Sequence, residues 1–220
     1  MTQYKIALSP EDRESNVYAV GNTNERDQMR RVADLLESAL LRCGFAVKNL
    51  QGPKMADRVA EGNAWTADLY IALHTNGFDG TVAGTRVHCY PSEKSRKIGK
   101  LIQDRIAPLS PGTSEHLVES TNLYELRVPT MPAVLPEFGF HDNPEEAQWI
   151  IDNVGLIAEE TCRAVCEFFG VDYVPEAAEE KADTLYRVQI GAFSVRGNAD
   201  AYLKEVRKYF PEAYITIVKK

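Results

Sequence analysis

The sequence has no hydrophobic run that approaches the roughly 20 apolar residues of a membrane-spanning helix. Its first residues, MTQYKIAL, lack a basic segment followed by an apolar core and a cleavage site, so we expect no secretory signal peptide. It also lacks an excess of basic residues, because its net charge is −7. That charge argues against nucleic acid as the main partner. What remains is a globular chain of ordinary composition, with 44% hydrophobic and 26% charged residues.

Cysteine is scarce and scattered. The chain has four, Cys43, Cys89, Cys162 and Cys166, and none forms a CxxC pair. Cys162 and Cys166 are four residues apart in a helical pattern, where both can face a core. We therefore expect small core side chains, not a disulfide framework or a cysteine zinc site.

Apolar periodicity predicts strands that alternate with helices over the first 170 residues, which indicates an α/β fold. Strand 67–73 is apolar on both faces, as expected of a central strand in a parallel sheet. Pro136 places the last strand near an edge, or bends it. Residues 108–122 read as a loop. The predicted strands are 4–8, 45–50, 67–73, 84–90 and 132–138, and the predicted helices are 29–43, 55–64, 92–107 and 144–169.

Composition divides the chain into three parts. Residues 1–170 carry a charge of −7, the acidic linker 171–183 carries −4 and residues 184–220 carry +4. The last part reads as strand, helix and strand. Its length of about 37 residues is too short to bury a core alone. It must pack on the first domain, pair with a second copy or stay marginally stable.

Three polar side chains fall where an α/β sheet gathers its functional groups, at the carboxyl ends of strands. His74 ends the third predicted strand, Glu137 ends the last one, and Glu25 opens the first long helix. An imidazole with carboxylates is typical of a catalytic zinc site, which leaves one position for water and uses a carboxylate to take a proton.

Each of these residues also has a plainer interpretation. Glu25 lies three residues after Asn22 and fits a helix cap or the helix dipole. His74 fits a hydrogen-bonded residue at a strand end, and Glu137 fits a surface carboxylate. His88 alternates with its neighbours so as to face the other side of the sheet. Spacing alone leaves these alternatives open, as it does for His116 in the predicted loop.

A resemblance favours the catalytic interpretation. The segments TNERD, ADLYIALHTN and LYELRVPTMPAVLPEFGFHDNPEEA, with Arg58 and Asn63 ahead of the third strand, resemble the zinc-dependent N-acetylmuramoyl-L-alanine amidase family of the amidase 3 type. The resemblance covers residues 4–169. It implies a twisted, mostly parallel sheet flanked by helices. It also implies hydrolysis of the amide between N-acetylmuramic acid and L-alanine in peptidoglycan.

Carried over by position, Glu25 and His74 resemble zinc ligands and Glu137 resembles the catalytic glutamate. The family has another histidine ligand after the first strand, where this chain has LSPEDRESN with Asp12 at that place. The run PEDRE is more typical of a solvated loop. We therefore expect His141 to be the third ligand, with Asp12 as the alternative. This resembles a branch common in phage-type lysins, which has LSP at the start and FHDN near the end. Asn76 is expected to orient the site or contact substrate.

The tail, YRVQIGAFSVRGNADAYLKEVRKYF, resembles the first half of a SPOR module, a small peptidoglycan-binding domain.

Together the resemblances imply a phage endolysin or bacterial autolysin that is made in the cytoplasm and reaches the wall after holin-type release or lysis. Peptidoglycan is the expected partner, and a homodimer through residues 184–220 is one expected assembly. The alternatives are a metal-free, non-catalytic wall-binding protein and a zinc peptidase that cuts the stem peptide.

Overall fold

The computed structural model describes residues 3–113, 116–176, 190–211 and 213–217. The contacts divide the chain into two units, 1–176 and 177–220. In the described part of the chain, no helix is long and apolar enough to cross a membrane.

The first unit is built on a six-stranded sheet with the order β2-β1-β3-β6-β4-β5. All neighbouring strands are parallel except β4 and β6, which are antiparallel. The prediction of a mostly parallel α/β sheet is therefore confirmed. The strands are β1 Lys5–Pro10, β2 Ala46–Asn49, β3 Leu69–Asn76, β4 Arg86–Cys89, β5 His116–Glu119 and β6 Ala133–Phe140.

Helices cover both faces of this sheet. On one face α1 and α3 pack against α6, and on the other α2 contacts β1 and α4 contacts β6. Buried apolar side chains fill both layers, for example Leu36 and Val165 in the first and Val59 and Leu126 in the second. The helices are α1 Glu25–Arg42, α2 Met55–Ala64, α3 Glu93–Ile106, α4 Tyr124–Arg127, α5 Pro144–Asp152 and α6 Val154–Phe169, with a 3₁₀ turn at Ala107–Leu109.

The two central strands bring the predicted catalytic residues together. β3 lies between β1 and β6, as its apolar faces indicate, and it continues past the predicted end to include His74. In the register of β3 with β6, His74 lies beside Glu137. β6 is an interior strand, so the expectation that Pro136 marks a sheet edge was wrong. The irregularity lies further along, where the pairing shifts register between His74 and Asn76.

Sequence analysis also missed β5, which lies inside the predicted loop. Its four residues form the edge of the sheet and pair only with β4 among the described strands. Their side chains are exposed or half-buried, so the segment lacks the apolar alternation that reveals a strand.

The second unit contains helix α7, Arg196–Val206, which overlaps the predicted helix 198–210 but begins two residues earlier. The predicted flanking strands were 185–193 and 213–219. Their described parts, 190–193 and 213–217, are not in strands. Residues 185–189, 218 and 219 lie outside the described residues.

Candidate active site

The candidate site is a cavity of about 340 Å³ beside the carboxyl ends of β1 and β3. Nδ1 of His74 lies 3.3 Å from Oε2 of Glu11 and 3.6 Å from Oε1 of Glu25. Glu11 directly follows β1 and Glu25 begins α1, so segments far apart in sequence place two carboxylates on one imidazole nitrogen. These are donor atoms that zinc accepts in proteins.

Glu25 is held in the site by hydrogen bonds and does not cap its helix. The cap is Asn24, whose Oδ1 accepts a hydrogen bond from the backbone N–H of Asp27 at 3.0 Å. The Glu25 carboxylate instead accepts from the Thr75 backbone N–H and from Nδ2 of Asn16, each at 2.6 Å. Burial raises its pKa, but the hydrogen bond and charge of His74 and these two donors outweigh burial and hold the pKa below its ordinary value. Glu25 is therefore an ionised carboxylate.

Glu137 lines the same cavity and is fixed from two sides. Its Oε2 accepts a hydrogen bond from Nδ2 of Asn76 at 2.6 Å and lies 3.3 Å from Nε2 of His88. His88 was expected to face the side of the sheet away from the site, and that expectation was wrong because it lines the cavity. In the antiparallel register His88 lies opposite Leu135, which is two residues before Glu137 and so shares its face.

His74 uses its second ring nitrogen as well. Nε2 lies 3.2 Å from Oε2 of Glu125, a residue of α4 that is almost fully buried. Burial lowers the pKa of His74, but hydrogen bonds and charges from Glu125 and Glu25 outweigh burial and raise the pKa to about 10. In the metal-free protein the imidazole is therefore protonated at neutral pH.

The two predicted candidates for a third ligand, His141 and Asp12, make other contacts. Nδ1 of His141 is 3.1 Å from Oγ1 of Thr75, and its ring stacks on Tyr18 with the centroids 5.7 Å apart. Side chains alternate along a strand, so Thr75 and His74 leave β3 on opposite faces. Asp12 forms an ion pair with Arg30. None of these contacts involves Glu25 or His74.

Sequence reasoning missed Glu11 and Glu125. Glu11 was assigned to a solvated loop, yet it is only 5% exposed, because its backbone N–H donates to the carbonyl of Leu73 and prolongs the sheet. A strand prediction extended to Pro10 would have placed Glu11 at the strand end. Glu125 sits in a four-residue helix, too short for periodicity to reveal it.

Comparison with known proteins assigns the family. A family model described as N-acetylmuramoyl-L-alanine amidase matches residues 12–167, well over half of the chain. The chain belongs to the N-acetylmuramoyl-L-alanine amidase family. The resemblance given by the sequence motifs is thereby confirmed. A model of the SPOR domain matches residues 170–220, next to the amidase match.

Curated relatives of the amidase unit come from bacilli. The chain is 26% identical over 155 residues to N-acetylmuramoyl-L-alanine amidase CwlM of Bacillus licheniformis, covering 69% of this chain and 57% of that protein. It is 27% identical over 147 residues to the sporulation-specific N-acetylmuramoyl-L-alanine amidase of Bacillus subtilis, covering 66% and 55%. The chain therefore spans a little over half the length of these two relatives.

Solved amidase structures share the fold. An N-acetylmuramoyl-L-alanine amidase from Clostridium difficile 630 superposes with a TM-score of 0.69 at 22% identity, covering 76% of this chain and 97% of that one. The catalytic domain of CwlV from Bacillus (Paenibacillus) polymyxa superposes with a TM-score of 0.68 at 18% identity, covering 78% and 100%. At these identities the likeness establishes the sheet and its flanking helices.

The amidase unit also contains a cysteine group, formed by Cys43, Cys162 and Cys166. The three sulfur atoms lie within 4.8 Å of one another, are buried and could hold a metal ion. The sequence places Cys43 far from the other two, but α1 packs on α6 and brings it to them. Sequence analysis expected separate core residues and did not foresee this group.

Proposed function

We propose that the amidase unit hydrolyses the amide between N-acetylmuramic acid and L-alanine in peptidoglycan with the help of a zinc ion. The observation that carries the proposal is the meeting of Glu11 and Glu25 at one nitrogen of His74, in the cavity that Glu137 also lines. The family to which the chain belongs supports the choice of reaction.

The donor set fits a divalent cation. Among the described residues, four carboxylates line the cavity against one arginine and two imidazoles, so negative charge exceeds positive charge once the imidazoles are neutral. Glu25, His74 and Glu11 would hold the ion, because they supply the two oxygens and one nitrogen of a three-ligand zinc site. The expectation that His141 is the third ligand remains a prediction, and its contact with Thr75 makes Glu11 the better supported candidate.

Zinc in such a site supplies a Lewis acid that polarises the amide carbonyl and makes water more acidic. The protein's own part in the reaction falls to Glu137. Asn76 and His88 both contact Oε2 of Glu137, which leaves Oε1 to accept a proton from water and pass it to the leaving nitrogen of L-alanine. Asn76 fixes the carboxylate in position for both transfers.

The match of residues 170–220 to a SPOR domain supports peptidoglycan as the polymer that the protein binds. We propose that the protein acts on the cell wall after release from the cytoplasm, as an endolysin or an autolysin. The second unit would contribute wall contact or pairing between copies, and the amidase unit would contribute the chemistry.

The test is a digest of purified peptidoglycan with the full chain and with Glu137→Gln. The wild type should create free muramic lactyl carboxyl groups and free L-alanine amino groups. The variant should lose at least 100-fold of this activity, since an amide cannot act as a base. Its melting temperature and bound zinc should stay unchanged. Cuts between two amino acids would identify a peptidase instead, and wall binding without any release would identify a binding protein.

A further inference from the structure

Glu125 is a buried carboxylate that links the candidate site to a hydrogen-bond network beneath it. Its Oε2 lies 3.2 Å from Nε2 of His74. Its Oε1 accepts hydrogen bonds from Oγ of Ser9 at 2.5 Å and from the hydroxyl of Tyr70 at 2.8 Å. Oγ of Ser9 accepts in turn from Nε of Arg58 at 2.7 Å. The network thus joins residues of β1, α2, β3 and α4.

The network fixes Glu125 as an ionised acceptor. The residue is 1% exposed, and an isolated carboxylate at that depth would be strongly destabilising. Two hydroxyl donors and the guanidinium of Arg58, whose Nη2 is 3.8 Å from Oε1, offset that cost. Nη1 of Arg58 is itself held by the carbonyl of Gly52 at 2.7 Å. With Oε1 occupied, Oε2 is the oxygen left to face His74.

This arrangement decides which nitrogen of His74 has the lone pair that can bind a metal ion. An acceptor at Nε2 keeps the proton on that nitrogen, so the lone pair of a neutral ring lies on Nδ1. Nδ1 is the nitrogen that approaches Glu11 and Glu25. A carboxylate on the far nitrogen of a histidine ligand orients the ring and makes it a better donor.

We propose that Glu125 is a positioning residue that holds His74 with Nδ1 directed at the metal, and that Ser9, Tyr70 and Arg58 hold Glu125 for this task. The proposal rests on the zinc site proposed above. It assigns a role to Arg58, which sequence analysis singled out only by resemblance.

The experiment measures cobalt binding to the metal-free full chain by visible absorption, separately from amidase activity. Glu125→Gln should weaken binding about 10–100-fold and change the ligand-field spectrum, because the ring loses its charged partner. Glu145→Gln makes the same substitution on an exposed carboxylate and should change neither. Tyr70→Phe keeps Glu125 but removes one of its donors, and should give a smaller loss of affinity with the fold intact.

Unchanged cobalt affinity and spectrum in Glu125→Gln, with normal binding in the wild type, would overturn the role of Glu125 alone. In the same assay, Glu25→Ala should lose the cobalt that is bound without sulfur ligands, whatever binds at the cysteine group. If Glu25→Ala instead binds like the wild type, the zinc site itself is wrong. Should Glu125→Gln fail to fold, Tyr70→Phe decides, since unaltered cobalt affinity in that folded variant would also overturn the proposal.

Discussion

At the scale of single residues, the site depends on how one imidazole is surrounded. His74 has a carboxylate on one nitrogen and two on the other, and Glu11, Glu25 and Glu125 are each at most 5% exposed. Buried carboxylates at these distances repel one another unless a cation lies among them. The protonated ring serves as that cation in the metal-free protein, and a zinc ion would replace its proton.

The identity of the third ligand gives the first prediction. Glu11→Ala should lower zinc affinity and amidase activity together, by at least 10-fold, because a site with two protein ligands holds zinc weakly. Asp12→Ala should keep both, since Asp12 is paired with Arg30. Zinc competition with a chromophoric chelator gives the affinities. A loss in His141→Ala with full affinity in Glu11→Ala would return the role to His141.

The raised pKa of His74 gives a prediction about stability. The ordinary pKa of histidine is about 6.5, and in the folded, metal-free protein it is raised to about 10. The stabilisation from the charged ring is therefore complete below pH 6.5 and is lost as the pH rises toward 10. With EDTA present, the wild type should melt above His74→Gln near pH 6, and the difference should shrink by pH 10. A difference independent of pH would contradict this.

Residue patterns predicted that three of the residues lining this cavity would lie near one another. Glu25, His74 and Glu137 could be singled out because each ends or opens a strongly periodic element. Glu11 and Glu125 were not predicted, because segments distant in sequence bury them beside His74. For His88, alternation along the strand does not tell which face carries Glu137, because that depends on the register of β4 with β6.

At the scale of elements, β6 sets the geometry of Glu137. Between the pairs His74–Glu137 and Asn76–Phe140, one residue of β3 lies opposite two residues of β6, which is the count of a β-bulge. Gly139 within it has a φ of +126°, a conformation that residues with a side chain rarely adopt. From Pro136, the sequence predicted either a position near the sheet edge or a bend in this strand. The bulge follows from Gly139, whose conformation the sequence does not reveal.

Gly139→Ala is the prediction at this scale. Alanine at this position would have to adopt a φ that is strained for a residue with a side chain. Its Cβ would also lie 3.1 Å from the Glu146 carboxylate, which accepts the Phe140 backbone N–H at 2.8 Å. We expect a cost of about 1–3 kcal/mol in the free energy of unfolding. We also expect reduced kcat, because Glu137 is two residues away. Chemical denaturation and steady-state kinetics measure the two effects.

The matched control is Gly155→Ala in α6, where an added Cβ meets nothing within 4 Å and φ is ordinary for a helix. Alanine favours a helix over glycine by about 1 kcal/mol, so this variant should be at least as stable as the wild type. Equal stability of the two variants would remove the role assigned to the bulge.

At the scale of the whole molecule, the two units differ in how much they bury. Among the residues that the structure describes, those that form the main apolar clusters lie between Ile6 and Cys166, within the first unit. The alternating strands and helices that build this core were predictable, because long periodic segments bury one continuous face. The second unit exposes large apolar side chains, namely Ile190, Phe193, Val195, Tyr202, Tyr209, Phe210, Tyr214 and Ile217. This suits the prediction that it docks or pairs with a second copy.

Deletion of residues 177–220 tests the division of labour. None of the clustered core residues is removed, so cleavage of a small soluble muramoyl peptide should stay within about twofold of the full chain. Binding to insoluble peptidoglycan should weaken, or the mass measured by light scattering should fall to that of a monomer. A truncated protein that keeps both its wall affinity and its mass would show that the second unit has neither task.

The cysteine group has a practical consequence for how metal is counted. Thiolates bind soft ions tightly, so a preparation exposed to zinc could carry one ion on Cys43, Cys162 and Cys166 in addition to one at His74. Total zinc per chain would then be two, and Cys162→Ala would reduce it to one with full amidase activity. Replacing zinc with cobalt distinguishes the two sites by absorption, because sulfur ligands add intense near-ultraviolet bands that oxygen and nitrogen ligands do not.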